Sequence, residues 1–159
     1  MRYNVIRVVE DSFSLREIAG YNNVNGIEYD LESVARAVHK SQEWIKQGKM
    51  LGYVSHMCRK ASLELDGHMF LPAKFTPACS TVALTLSGDV VTHRQAILDT
   101  KMGRAIALSE ERLVGDWGWS WAASGKEGVV KSIYGFDYVQ NPGFISLKLL
   151  AVMREFGMD

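Results

Sequence analysis

The sequence contains few cysteines and no repeated pair of metal ligands. Only two cysteines, Cys58 and Cys79, occur among 159 residues, and neither belongs to a CxxC pair. This argues against a disulfide framework and against a zinc knuckle, and we expect two buried thiols in a reducing cytosol. No His or Cys pair at ligand spacing is backed by a second pair. We therefore expect no metal site and no cofactor.

An excess of one charge and a long apolar run are also lacking. Eighteen basic side chains balance eighteen acidic ones, so no overall field attracts the protein to nucleic acid or to an anionic membrane. No stretch approaches the ~20 apolar residues of a membrane span, and residues 1–10 lack the apolar core of a signal peptide. We expect no nucleic-acid partner and no membrane partner.

The hydrophobic pattern predicts one α+β domain over residues 1–159, with a mainly antiparallel β core and a few flanking helices. Asp30 is the predicted cap of a helix that stops at Gly48, and the turn at residues 87–89 predicts a hairpin. Residues 63–70 are ambiguous. The predicted strands are residues 3–9, 50–56, 81–86, 90–98, 117–123 and 129–139, and the further helices are residues 101–113 and 144–156.

His56, Ser120 and Asp137 lie in three short segments that offer, in chain order, a base, a nucleophile and an orienting acid. The segments are residues 52–56 (GYVSH), 118–120 (GWS) and 135–143 (GFDYVQNPG). Nucleophilic catalysis needs these three roles within hydrogen-bonding reach, whereas their chain order varies between folds. Asp137 also interrupts an apolar strand, and a carboxylate buried there requires a partner such as an imidazole.

Other residues compete for the role of the base. His68 is the alternative if the first segment is assigned one element too early, whereas His93 lies in the middle of a strand and is expected to face solvent. His39 is expected to be structural. Cys58 follows His56 by two positions, and on an extended strand that spacing leaves the side chains about 6–7 Å apart, too far for proton transfer.

The role of the acid has alternatives as well. In an alternative interpretation, Asp137 caps an element or forms an ion pair with Lys131. Asp99 and Asp116 are the reserve candidates for the orienting acid.

Three tryptophans at a spacing of two mark one face of a strand. Trp117, Trp119 and Trp121 share that face, and Gly118 and Ser120 lie on the other. A nucleic-acid stacking platform would have Lys or Arg between the rings, and none is present. The stripe predicts a core or an oligomer face, and we expect a homo-oligomer.

Five short motifs follow one another between residues 22 and 143. In order they read Asn-x-Asn-Gly-x-x-Tyr (23–29), Gly-x-x-x-His (52–56), Thr-x-x-Gly-Arg (100–104), Gly-Trp-Ser (118–120) and Asp-x-Val-x-x-Pro (137–142). In this order the chain resembles the tailed-phage prohead maturation proteases, a family distantly related in fold to the herpesvirus assemblins. The specificity of the match lies in the joint order of motifs that are individually short.

The resemblance implies a fold and an activity. The fold is an assemblin-like barrel, and the activity is that of a serine endopeptidase with His56, Ser120 and Asp137 as its catalytic triad. Its substrates are phage scaffold and major capsid proteins, cleaved after acidic residues inside the assembling prohead in the host cytoplasm. Self-destruction of the protease follows.

The sequence departs from the family pattern around both the histidine and the serine. Tyr53 and Met57 stand where the family often has Glu and Pro, and residues 121–123 read WAA where many relatives have Ser-Arg-Gly. The resemblance assigns that arginine to the oxyanion or the substrate. An alternative hypothesis is therefore a catalytically inactive capsid-assembly or scaffold-associated protein of the same fold, and a second is a small binding protein unrelated to proteases.

Overall fold

The protein is described by a computed structural model that covers residues 3–59, 76–112 and 116–155. Over these ranges it combines an antiparallel sheet, a β-hairpin and flanking helices, which confirms the predicted α+β class. In chain order the elements are β1 (Val5–Ser14), α1 (Leu31–Lys46), β2 (Leu51–Gly52), β3 (Cys79–Ser87), β4 (Val90–Leu98), α2 (Lys101–Arg112), β5 (Trp117–Lys126), β6 (Val129–Gln140) and α3 (Leu147–Glu155). The ambiguous residues 63–70 lie outside the described residues.

The strands form a curled half-barrel. Four of them make an antiparallel sheet in the order β1-β4-β3-β2, and β5 pairs with β6 in a separate hairpin. The two parts meet where β2 contacts β6 and where Val54 forms a parallel bridge with Tyr138. No helix in the described ranges is long and apolar enough to cross a membrane.

Turn chemistry explains both hairpins. The β5–β6 turn consists of Glu127 and Gly128, whose φ angles of 54° and 84° are those of a two-residue turn that matches the twist of its strands. The β3–β4 turn begins with Gly88 at φ 60°, as predicted from the sequence.

Helix α1 begins and ends where the sequence predicts. The Asp30 carboxylate accepts hydrogen bonds from the backbone N–H groups of Glu32 and Ser33 at 3.1 and 3.4 Å. The chain leaves the helix at Gly48, whose φ is 67°. The buried side of α1 packs on β6 and β3, and the Ser33 hydroxyl accepts the N–H of Val130 at 2.9 Å. The helix thereby fixes the start of β6.

The strand predicted over residues 50–56 is wrong in its second half. Only Leu51–Gly52 is a strand, and residues 56–59 form a helical turn. The change occurs at Ser55, whose φ of 71° takes the backbone out of the extended conformation. The Ser55 hydroxyl then accepts the N–H of Met57 at 3.1 Å, as a helix cap does. His56 therefore begins a helical turn rather than ending a strand.

The prediction that His93 faces solvent is also wrong. This residue is 1% exposed, and its ring stacks on Phe136 with centroids 3.9 Å apart. Its Nε2 lies 3.2 Å from a carboxylate oxygen of Asp11, and its Nδ1 lies 3.0 Å from the Gln95 amide nitrogen. The face of β4 that carries His93 is covered by β6, which the strand pattern of β4 alone does not reveal. Trp119 joins the same core at 6% exposure.

Gly52 allows β2 to approach β6 closely. A Cβ at this position would overlap the backbone carbonyl of Phe136 and the Cys79 sulfur.

We expect Gly52→Ala to lower the free energy of unfolding by about 3 kcal/mol, the upper end of the usual cost of overpacking. Urea unfolding monitored by tryptophan fluorescence measures this loss. The matched control is Gly118→Ala, whose Cβ would lie 3.2 Å from the rim of the Pro142 ring and should cost less. Equal stability of the two variants would contradict the close approach of β2 to β6.

Candidate active site

The three residues singled out by the sequence come from different elements that meet at the β5–β6 hairpin. Ser120 and Asp137 are direct cross-strand partners, so their side chains share one face of the hairpin. The segment before His56 is held on β6 by two backbone hydrogen bonds of 2.9 Å, from Tyr138 N–H to the Tyr53 carbonyl and from Ser55 N–H to the Tyr138 carbonyl. Together these pairings place the imidazole beside both partners.

The side chains of His56, Ser120 and Asp137 form a continuous hydrogen-bonded chain. His56 Nε2 lies 3.1 Å from Ser120 Oγ, and His56 Nδ1 lies 2.6 Å from Asp137 Oδ2. Because a carboxylate only accepts, Nδ1 carries the proton and donates it, which leaves Nε2 to accept the serine hydroxyl. The imidazole is 48% exposed, whereas the carboxylate is fully buried. The chain thus runs from a buried charge to an accessible hydroxyl.

The buried carboxylate of Asp137 has further donors. The backbone N–H of Tyr53 donates to Oδ1 at 3.0 Å. Arg59 donates from Nε to Oδ2 and from Nη2 to Oδ1, both at 2.9 Å. A buried charge is tolerated when it is paired and hydrogen-bonded in this way. Asp137 is therefore paired with His56 and Arg59 rather than with Lys131, which is exposed on β6.

Arg59 is the one residue of this cluster that the sequence did not single out as a site residue. The predicted strand ended at His56, and residues 57–59 were assigned to no element, so nothing in the sequence placed the Arg59 side chain beside the site. In a helical turn, residues three apart lie on the same side. Assignment of residues 56–59 as helix would have placed Arg59 next to His56 and hence next to its acid.

The reserve candidates lie elsewhere in the molecule. Asp99 pairs with Arg104 at 2.7 Å, and Asp116 accepts a hydrogen bond from the Gln140 side chain at 2.7 Å. His39 is exposed on α1. His68 lies outside the described residues.

The two cysteines differ in environment. The sequence predicted two buried thiols, but only Cys79 is buried, and Cys58 is partly exposed. Burial raises the pKa of the Cys79 thiol far above its usual value, and the nearby charge of Asp137 raises it further, while Arg59 partly offsets the shift. Cys79 is therefore a protonated, inert thiol.

A cleft of about 580 Å³ opens beside Ser120 and His56. The turn of the first motif and the end of the last form one side of it, because Val24 N–H donates to the Gly143 carbonyl at 2.9 Å. Apart from His56, the described residues around this cleft carry no ionisable acid or base except the phenol of Tyr29. Aromatic and amide side chains dominate the lining, namely Tyr29, Trp117, Trp121, Phe144, Asn25, Gln140 and Asn141. The cleft thus places Ser120 and His56 beside a mainly aromatic and amide surface.

No group of three or more metal-binding side chains occurs within the described residues. A scan against protein-family models and a search of curated proteins give no match. Among solved structures, the chain is similar to the capsid assembly protease of bacteriophage T4. The two are 17% identical, with a TM-score of 0.47, and the match covers 87% of this chain and 79% of that one.

The contrast between the cysteines can be tested by alkylation. The raised pKa of Cys79 keeps its thiol protonated at neutral and mildly alkaline pH, and its side chain is fully buried. We expect iodoacetamide at pH 8 to modify Cys58 in the folded protein and to leave Cys79 unmodified, as read by peptide mass spectrometry. Both thiols should react in urea. Modification of Cys79 in folded Cys58→Ala protein would contradict the burial of this thiol.

Proposed function

We propose that the protein is a serine endopeptidase in which Ser120 is the nucleophile, His56 the general base and Asp137 the residue that orients His56. The observation that supports this most strongly is the hydrogen-bonded chain from Ser120 Oγ through both ring nitrogens of His56 to Asp137. A serine hydroxyl is a weak nucleophile at neutral pH and needs a base at ~2.6–3.2 Å, and His56 Nε2 lies within that range.

The proposed acylation step follows from the protonation state of His56. Nε2 accepts the Ser120 hydroxyl proton while Oγ attacks the peptide carbonyl carbon, which gives a tetrahedral intermediate with a negative oxygen. The imidazolium that forms is stabilised by Asp137 through Nδ1–H. Nε2–H then protonates the leaving amine, the C–N bond breaks, and the acyl group stays on Ser120.

Deacylation uses the same groups in reverse. A water molecule gives a proton to His56 Nε2 as its oxygen attacks the ester carbon, and His56 returns the proton to Ser120 Oγ when the acid product leaves. The 48% exposure of His56 allows water to reach it after the amine product departs.

The proposed substrates are phage scaffold and major capsid proteins, and the proposed place of action is the assembling prohead in the host cytoplasm. The order of the five motifs between residues 22 and 143 supports this proposal. Residues of four of the five motifs line the cleft, among them Asn25, His56, Ser120 and Pro142. The described lining contains no Lys or Arg, so a substrate carboxylate would meet amide groups such as Asn25 and Asn141.

A second candidate function is a non-enzymatic role in capsid assembly with the same fold. The observation that favours it is the sequence Trp121-Ala122-Ala123, which lacks an arginine after the serine. Arg59 does not replace that arginine, because its guanidinium is bound to the Asp137 carboxylate and to the Leu51 carbonyl. Incubation with the phage's own capsid and scaffold proteins distinguishes the two functions: cleavage supports the enzyme, and binding without cleavage supports the alternative.

Ser120 is the residue whose removal tests the proposed chemistry most directly. We expect Ser120→Ala to abolish cleavage and labelling by a fluorophosphonate probe, since the change deletes the attacking oxygen and leaves a small side chain on the same strand. The matched control is Ser124→Ala on β5, which loses only an exposed contact to the Tyr134 hydroxyl at 3.1 Å and should remain active. Cleavage by the Ser120→Ala variant would place the nucleophile elsewhere.

Asp137→Asn separates an orienting role from a purely structural one. If Asp137 orients His56, turnover per folded molecule should fall by up to ~10⁴-fold, since an amide favours the wrong imidazole tautomer and does not balance the imidazolium charge. Turnover and thermal melting are measured on the same preparation. A loss of ~1–3 kcal/mol in stability with unchanged turnover would assign Asp137 a structural role only.

A further inference from the structure

Arg59 binds the Asp137 end of the hydrogen-bonded chain that begins at Ser120. Its side chain is 12% exposed, and its guanidinium binds both oxygens of the fully buried Asp137 carboxylate. We propose that Arg59 is a positioning residue that fixes the orientation and the charge of Asp137 and, through it, the protonation of His56. This inference deepens the proposed function and rests on it.

The guanidinium occupies a site built to receive it. Nη2 donates a second hydrogen bond to the Leu51 carbonyl on β2, and the guanidinium carbon lies 5.2 Å from the centre of the Tyr53 ring. On the other side, a Cβ at Gly135 would lie 2.6 Å from Nη2. The glycine that opens the 135–143 motif therefore provides the space for Arg59.

Two-point binding restricts the carboxylate. A carboxylate with one partner can rotate about its Cβ–Cγ bond, whereas parallel hydrogen bonds from one guanidinium to both oxygens fix its plane. In that plane Oδ2 points at His56 Nδ1, 2.6 Å away. Arg59 and His56 lie on the same helical turn, so the contact also anchors the turn that carries the base to β6.

The charge of Arg59 acts on the proton that His56 and Asp137 share. The described titratable groups facing the carboxylate are His56 and Arg59 from the helical turn and Cys79 from β3, and the aromatic face of Tyr53 lies under the guanidinium. Arg59 is the permanent cation among them. A positive charge at this distance opposes the uptake of an additional proton by the His56–Asp137 pair, whichever residue holds it. Removal of the Arg59 charge would remove that opposition.

The test compares Arg59→Gln, which removes the charge, with Arg59→Lys, which keeps the charge and removes the planar fork. We expect Arg59→Gln to lower kcat by about 10²-fold with little change in KM, and to move the acid limb of the pH–rate profile up by about 1 pH unit. Arg59→Lys should restore the position of the acid limb and only part of kcat. The matched control is Arg7→Gln, because Arg7 also binds one carboxylate and one backbone carbonyl, those of Glu111 and Ala107, and none of these residues lines the cleft beside Ser120.

A second measurement does not depend on catalysis. The ¹⁵N resonances of the His56 imidazole, followed against pH, report when the ring takes up its proton, and the Nδ1–H proton signal reports the contact with Asp137. We expect the titration midpoint to rise in Arg59→Gln and to stay near wild type in Arg59→Lys. If the wild-type protein cleaves no substrate and the His56 titration midpoint still rises in Arg59→Gln, the protease proposal is refuted and the inference about Arg59 stands.

Three outcomes would overturn the proposal. One is an unchanged His56 titration in folded Arg59→Gln. Another is a lower melting temperature in Arg59→Gln with no change in turnover per folded molecule or in the acid limb of the pH–rate profile. That result would assign Arg59 a structural role only. The third applies if Arg59→Gln does not fold. In that case, a wild-type kcat in Arg59→Lys would show that the planar guanidinium does not position Asp137.

Discussion

The complete burial of the Asp137 carboxylate is the constraint on which the candidate site depends. A carboxylate without solvent must receive all its hydrogen bonds from the protein, and here they come from Tyr53, His56 and Arg59. All three donors lie within residues 53–59, so one short segment is bound to β6 through one charge. Removal of Asp137 or Arg59 alone would leave the other charge buried without its partner. This costs far more free energy of folding than replacing both residues by apolar groups. The charge thereby couples the geometry of the site to the folding of the chain around it.

The register of the β5–β6 hairpin decides whether Ser120 shares a face with that charge. From the turn, Lys126 pairs with Val129, but by Ser124 the partner is Ser132, and by Ala122 it is Gly135. Each of these two shifts adds one residue to β6, and each falls between the turn and the site. One shift alone would place Ser120 and Asp137 on opposite faces of the hairpin. Two shifts return them to the same face and make them direct partners. Gly135, at the second shift with φ 154°, serves both the bulge and the space for Arg59.

Local signals predicted the regular elements well, and the errors fall where distant parts of the chain decide. The cap at Asp30, the stop at Gly48 and the turn at Gly88 act within a few residues, and the helix and the hairpin that they mark were confirmed. The environment of His93 depends on β6, some forty residues later, and the exposure of a β4 residue is not encoded in β4 itself. The helical turn at residues 56–59 was missed because a single residue with positive φ, Ser55, separates it from a strand. The same error concealed Arg59, since its role exists only if the turn is helical. His56, Ser120 and Asp137 were found by the residue types around them, and their catalytic roles stay a prediction.

The charged groups of the candidate site lie along one hydrogen-bonded chain, in which Asp137 lies between the Arg59 guanidinium and the His56 ring. The Asp137 carboxylate favours positive charge on the neighbouring imidazole, and the Arg59 guanidinium bound to the same carboxylate opposes it. In the proposed acylation step the imidazolium is stabilised by Asp137, and the negative charge that forms on the substrate oxygen requires hydrogen-bond donors of its own. Because no arginine follows the serine, we expect uncharged donors such as backbone N–H groups to hold that oxyanion, and such donors act strongly only where water is excluded. A substrate that fills the cleft beside Ser120 would exclude that water, which would link the electrostatics of the candidate triad to the occupancy of the cleft.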